Sequence, residues 1–446
     1  MRFLPVPSRA ILASCALLLC LCACEPRSFT AADEWPDITP DYIGVTVPSS
    51  MAKGDAALFS FGMSDGRQCR IRRTGDGDTV WVQVKAWQKG ANEGISYRPF
   101  PICISHDSID DAIAYRLIEP GYESWHKMGI YLRRLSSHRE RMLVSNTLND
   151  RGCINCHTFH RGDEQHMLFH ARGKDGGTWF VDGKERTKVD LKAVGPGKQG
   201  VYPAWHPDGR FVAFSSNDTQ QCFMQEPGQP IEVFDLKSDI ILYDRQKDSV
   251  STPDALNGDS VWETFPAWSP DGRRLYYCAA DSVQGLPFAR GRVHYRLMAL
   301  DFNAATATFA TVPDTIWQCD SLSASFPRLS PDGRWLMFTA ARYGTFPIWH
   351  DDADLWLMDL SDGTFRRCDE LCSPRAESYH SWSSNGRWVV FSSRRADGRY
   401  TRLYFAHHDG NGHFSKPFVL PQASADADRL RLQSYNIPEF VRTSRP

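Results

Sequence analysis

The sequence predicts a mainly β chain whose C-terminal part is a ring of four-stranded blades, a β-propeller. Three observations lead there. Four segments repeat at intervals of roughly 53 to 63 residues: "YPAWHPDGRFVAFSS" from Tyr202, "FPAWSPDGRRLYYCA" from Phe265, "FPRLSPDGRWLMFTA" from Phe326 and "YHSWSSNGRWVVFSS" from Tyr379. Each holds an aromatic, a short strand, a Pro-Asp-Gly or Ser-Asn-Gly turn and an apolar strand. Proline presets such a turn, Asp or Asn bonds its own backbone, and glycine takes the positive φ. Further strand-like runs follow, such as "DIILYDRQKDSVST" and "DLWLMDLSDGTFRRC", giving four strands per repeat.

The elements before the ring follow in order. Residues 1–23 carry Arg2 and Arg9, then an apolar run from Ala10 to Cys22 that is too short to span as a mature helix. The run ends in Leu21-Cys22-Ala23-Cys24, the order of a lipoprotein signal with Cys24 as the lipidated residue. An ordinary signal peptide or a buried helix are the alternatives. A lipid on Cys24 makes a membrane the first expected partner, without a spanning helix. The expected location is periplasmic or outer-membrane-associated, in a Gram-negative bacterium. That compartment is oxidising. Cys368-x-x-x-Cys372 could then close a small loop, although spacing cannot fix pairing.

Residues 24–45 read as a tether, rich in Pro, Asp and Thr. Residues 46–105 read as a β domain: "TVWVQVKAW" alternates Val80, Val82 and Val84 with Trp81, Gln83 and Lys85. Residues 106–165 read as helical. Ser108-x-x-Asp111 resembles a capping box, and Ile109, Ile113 and Leu117 fall on one helical stripe. Trp125, Met128, Leu132 and Leu135 repeat the pattern. The propeller is expected over 166–446. Five blades can be counted and six are favoured, the sixth hidden between Asn217 and Asp239. The strand-like "SYNIPEF" from Ser434 is expected to join the strands from His166 and close the ring.

Composition narrows the partners. The formal net charge is −2, without a basic run, so nucleic acid is not expected. No phosphate loop or dinucleotide fingerprint appears, so no nucleotide is expected. No Gly-x-Ser-x-Gly elbow is present. Asp351, Asp352 and Asp354 form an acidic group, read as a solvated loop before a calcium site.

The chemistry concentrates in "RGCINCHTFH", which holds Cys153-x-x-Cys156-His157. A c-type haem needs two thiols for its vinyl groups and an adjacent imidazole for its iron. Cys153 and Cys156 would form the thioethers and His157 the proximal bond. Three other readings stand beside it. Zinc could use Cys153, Cys156, His166 and His170, although the central gap is short for a finger. A redox dithiol would want a βαβ context. A plain disulfide or inert pair is the third. Met128, His160, His166, Met167 and His170 are candidates for a sixth iron ligand. His170 is favoured, because sibling strands carry Ser215, Cys278, Thr339 and Ser392 at its position; Met128 is the alternative.

Two resemblances add to this. The triplets Pro207-Asp208-Gly209, Pro270-Asp271-Gly272 and Pro331-Asp332-Gly333, preceded by Trp205 and Trp268, resemble TolB-like, WD-type propellers. Leu329 and Ser384-Asn385-Gly386 depart from that pattern. The segments "IEPGYESWHKMGIYLRRL", "SNTLNDRGCINCHTF" and "MLFHARGKDGGT" are similar to exported Bacteroidetes-type lipoproteins that join one haem motif to such a propeller. The resemblance implies export and one covalent haem c. The expected function is a membrane-anchored monohaem electron carrier, with the propeller docking a protein redox or envelope partner. The alternative is a TolB-like periplasmic protein-binding lipoprotein whose haem is structural or absent.

Overall fold

The computed structural model describes residues 27–32, 42–52, 67–74, 78–119, 127–173, 175–226, 229–424 and 426–444. The expected signal peptide, Cys24, Trp125 and most of the tether lie outside them. No helix among the described residues is long and apolar enough to cross a membrane.

Six antiparallel sheets form the propeller. Blade 1 comprises Ile154–Phe159, His166–Ala171, Gly177–Asp182 and Glu185–Val189. Blade 2 comprises Val201–Trp205, Phe211–Glu226, Gln229–Asp244 and Ser249–Ser251. Blade 3 begins with Val261–Trp268, Arg274–Asp281 and Arg296–Asn303; Thr308–Phe309 and Asp314–Trp317 both pair with the third. Blade 4 comprises Ser323–Leu329, Trp335–Ala341, Asp354–Asp359 and Phe365–Arg367. Blade 5 comprises Glu377–Trp382, Trp388–Ser393, Arg402–His407 and Phe418–Val419. Blade 6 joins Ser434–Val441 to Ala112–Ile118, Gly129–Arg134 and Glu140–Ser145. The first-named strand of each blade packs against its counterparts on both sides, which closes the ring.

Each gap between blades has its own apolar core. Ile130 and Phe169 meet between blades 6 and 1, and Phe180 and Phe214 between blades 1 and 2. Second strands are buried on both faces, so Trp335–Ala341 and Trp388–Ser393 are buried throughout. The turns behave as the sequence suggests. Asp208, Asp271, Asp332 and Asn385 each accept the backbone N–H two residues on. Gly272 shows why glycine is required in such a turn. It sits at φ +72°, and a Cβ there would lie 2.3 Å from Nε2 of His206.

A six-stranded N-terminal sheet runs from Ser28 to Ser105. Val82 and Val84 are buried while Trp81 is largely exposed, as the alternation requires. The sheet shares one core with blades 5 and 6, where Val82, Trp388, Phe405 and Tyr435 meet.

Three expectations need correction. The segment expected to be helical is the outer part of blade 6 and the first strand of blade 1. Ile113 and Leu117, four apart, satisfy a strand period as well as a helical one. In Ala112–Ile118 both faces are buried, so polar alternation is missing. The ring closes differently: Ser434–Val441 pairs with Ala112–Ile118, and the His166 strand pairs with Ile154–Phe159. The propeller therefore starts at Ala112 rather than 166. No blade hides between Asn217 and Asp239, which form a long hairpin of blade 2.

Candidate functional site

One local irregularity recurs in all six innermost strands. Each breaks register at a two-residue bulge. The first bulge residue has positive φ: Cys156 +53°, Tyr202 +47°, Phe265 +53°, Phe326 +53°, Tyr379 +51° and Ile437 +53°. The second is Pro203, Pro266, Pro327 or Pro438 in four blades, and His157 or His380 in the other two. Cys156-His157 is thus the bulge of blade 1. A non-glycine residue in this region costs about 1–2 kcal/mol. Packing offsets it. Ring centroids are 4.6 Å apart for Tyr202–Phe265, 4.0 Å for Phe265–Phe326 and 4.9 Å for Phe326–Tyr379. Such pairs contribute about 0.5–1.5 kcal/mol each beyond burial. These side chains plug the propeller axis.

Above the plug lies a throat of about 30 Å³, bordered by Cys156, His157, Arg328, His380 and Glu439 among others. It shares Pro203, Arg328 and Glu439 with a wider mouth of about 530 Å³. Trp205, Trp268, Trp382, Pro207, Pro270 and Pro331 line that mouth, with Asp110, His160, Arg161 and Arg442 among its polar groups. The tryptophans are held rigidly. Nε1 of Trp205, Trp268 and Trp382 donates to the carbonyl of Thr158, Ala204 and Arg328, each on the preceding blade.

The throat's two histidines are buried, and Arg328 and Glu439 are half-buried. His157 is 1% exposed, and neither ring nitrogen reaches full hydrogen-bond geometry among the described residues, although the Ile437 backbone approaches it. Burial, then the charge of Arg116, lowers its pKa to about 3, with the Ile437 backbone opposing. His380 is likewise lowered to about 3 by burial. Its Nε2 lies 2.9 Å from the Met337 carbonyl and donates to it, so Nδ1 keeps a free lone pair. Burial raises Glu439 to about 7, against a hydrogen bond from the Phe159 N–H, the charge of Arg328 and a hydrogen bond from Thr158 Oγ1. Arg328 donates Nη1 to the carbonyl of Pro327.

The residues singled out in the sequence scatter around this throat. Cys153 lies at the far end of the strand and is half-buried; Cys156 is buried, and burial raises its thiol pKa. His170 is on the second strand, opposite Asn155 rather than His157, with Nδ1 3.4 Å from Thr178 Oγ1. Burial lowers it to about 4. Met128 packs between blades 6 and 1, its Sδ accepting from the Ile154 N–H at 3.2 Å. Met167 is buried in the same layer. His160 lies 3.1 Å from the Pro207 carbonyl, and His166 pairs with Asp163 at 2.8 Å. Asp351, Asp352 and Asp354 pair with Arg375, Arg342 and Arg367, which accounts for the acidic group as ion pairs. All nine described cysteines are free thiols, Cys368 and Cys372 included.

The throat that His157 borders holds about 30 Å³ and opens onto the mouth of about 530 Å³. The apolar helical walls expected around a haem are strands already packed against their neighbours.

The residues that make the throat polar were missed in the sequence. Arg328 and Glu439 stand where blades 2 and 3 carry Ala204 and Ala267. His380 stands where four blades carry proline. The signal was present in "FPRL", "YHSW" and "IPEF" set beside "YPAW" and "FPAW".

No family model matches this chain. No curated protein matches it either. Solved structures do. A puromycin hydrolase aligns at 14% identity and a TM-score of 0.40, over 86% of this chain and 50% of that one. An oligogalacturonate lyase in complex with manganese aligns at 13% and 0.41, over 78% and 84%. The propeller domain of the Trilobed protease from Pyrococcus furiosus aligns at 10% and 0.38, over 77% and 83%. The chain spans about half the length of the puromycin hydrolase it matches. These likenesses concern the fold, a mainly β propeller. The expected cytochrome-type electron carrier is corrected. Cys156-His157 is one blade's own bulge, and the helical segment expected around it is strands.

Proposed function

We propose that this chain is an exported binding propeller, tethered to a membrane face through Cys24, that takes a small amphipathic ligand in its mouth. One observation carries the reading: the mouth of about 530 Å³, walled by three fixed tryptophans and opening onto a polar throat. Small-molecule sites have this size and makeup, mostly apolar walls with a few convergent polar groups. The tryptophans supply flat apolar contact at low entropic cost, because their own indoles are already hydrogen-bonded.

Tryptophan emission during titration with a panel of amphipathic small molecules tests the reading. A saturable change that is lost in Trp268→Ala is expected. A panel that leaves emission and melting temperature unchanged rejects it. Tethering is tested separately: lipid labelling of cells should mark the wild type and fail in Cys24→Ala.

A further inference from the structure

The throat has a chemical preference that its shape alone does not explain. It is the narrow end of the mouth, and two of its polar side chains, Arg328 and His157, can donate to an anion. His157 is 1% exposed and borders the cavity; neither ring nitrogen reaches full hydrogen-bond geometry among the described residues, although the Ile437 backbone approaches it. As a neutral imidazole it has one N–H to donate. Arg328 borders both cavities, and its guanidinium is engaged at Nη1 by the neighbouring Pro327 carbonyl. Arg328 is half-buried and feels the Glu439 carboxyl, which forms no ion pair with it among the described residues; a guanidinium held partly out of water is stabilised when an anion meets it.

We propose that the throat binds a carboxylate group of the ligand, with Arg328 and His157 as donors and the rest of the ligand lying against the mouth tryptophans. This rests on the binding reading above and names its ligand class. Size supports a carboxylate. The throat has room for about two water-sized groups, as two carboxylate oxygens require, and a tetrahedral phosphate is larger. Guanidinium and carboxylate match in fork geometry, and charge-assisted bonds of this kind are the strong ones. Glu439 stands on the same wall, and its near-neutral carboxyl can carry the proton that two facing carboxyls need. A metal is the poorer fit. Among the described residues, the atoms of His157, His380 and Glu439 do not converge to coordination distance, and Arg328 repels a cation.

The repeats themselves provide gentle variants. Arg328→Ala installs the residue of blades 2 and 3, and His157→Pro that of four other blades. Calorimetric titration would compare 3-phenylpropionate with 3-phenylpropionamide, and acetyl-Ala-Phe acid with its C-terminal amide. The wild type should bind an acid at least about tenfold tighter than its amide. That preference should vanish in Arg328→Ala and weaken in His157→Pro, with both variants melting cooperatively. Binding of only the small acid identifies a metabolite-sized ligand; tighter binding of the dipeptide acid identifies a chain end. Equal binding of acid and amide overturns the carboxylate assignment and leaves the binding reading standing. No binding of any probe overturns both.

Discussion

His157 and His380 occupy the same bulge position in blades 1 and 5, each following a residue at positive φ, Cys156 at +53° and Tyr379 at +51°. In the other four blades that position is proline. The two histidines differ in one respect: His380 has a well-formed carbonyl bond to Met337, whereas His157 has, among the described residues, only the approach of the Ile437 backbone, outside hydrogen-bond geometry.

His157→Pro should therefore leave stability unchanged or raise it. A buried polar group without a partner costs about 1–3 kcal/mol, and proline lowers unfolded-state entropy by a further 0.4–1 kcal/mol, roughly. Urea unfolding checks this. A loss above about 2 kcal/mol would show that the imidazole is held by a contact the fold does not display.

The buried thiol makes a second expectation. Native Cys156 should resist alkylation, because reactive thiols are exposed and have lowered pKa values, and Cys156 has neither property. Mass spectrometry before and after unfolding would report it.

Glu263 predicts a pH effect. It is 4% exposed, and burial, then Asp239, raises its pKa to about 8, with Lys198 and Arg296 opposing. The folded state therefore holds a proton that the unfolded state releases near the ordinary carboxylate value. The stability tied to this group is full below that value and is lost as pH rises through about 8. Glu263→Gln should lose less stability than wild type between pH 5 and pH 9, by on the order of a few kcal/mol. Parallel losses in chemical denaturation would remove Glu263 as the cause.

Ring closure is testable by truncation. Ending the chain at Gln433 removes the Ser434–Val441 strand and bares the edge of Ala112–Ile118. Loss of the cooperative transition, with aggregation, is expected. A truncated chain that melts like the full one would refute closure by the C-terminal strand.

The repeats were legible because their turns use position-specific chemistry. Pro207-Asp208-Gly209 and its siblings announce a turn whatever surrounds them. Ala112–Ile118 was not legible as a strand. It is buried on both faces, and the even spacing of Ile113 and Leu117 suits either period. The first strand of blade 1 was hidden by its own composition. Cysteine replaces the ring aromatic and histidine the proline, so the segment reads as a cofactor motif rather than a repeat. The throat depended on which residues from distant blades share one axis. Only the fold brings Arg328 and Glu439 together with His157.

The plug formed by Cys156, Tyr202, Phe265, Phe326, Tyr379 and Ile437 has a kinetic consequence. Beyond it, the hairpin of blade 2 reaches across, with Glu232 2.9 Å from His350 and Asp235 2.7 Å from Tyr295 Oη. Among the described residues the axis is a cul-de-sac. Whatever reaches the throat arrives and departs by the same door, so a bound molecule must back out before another can take its place. Two compounds that use this site will always compete, and none can be passed through the ring from one side to the other.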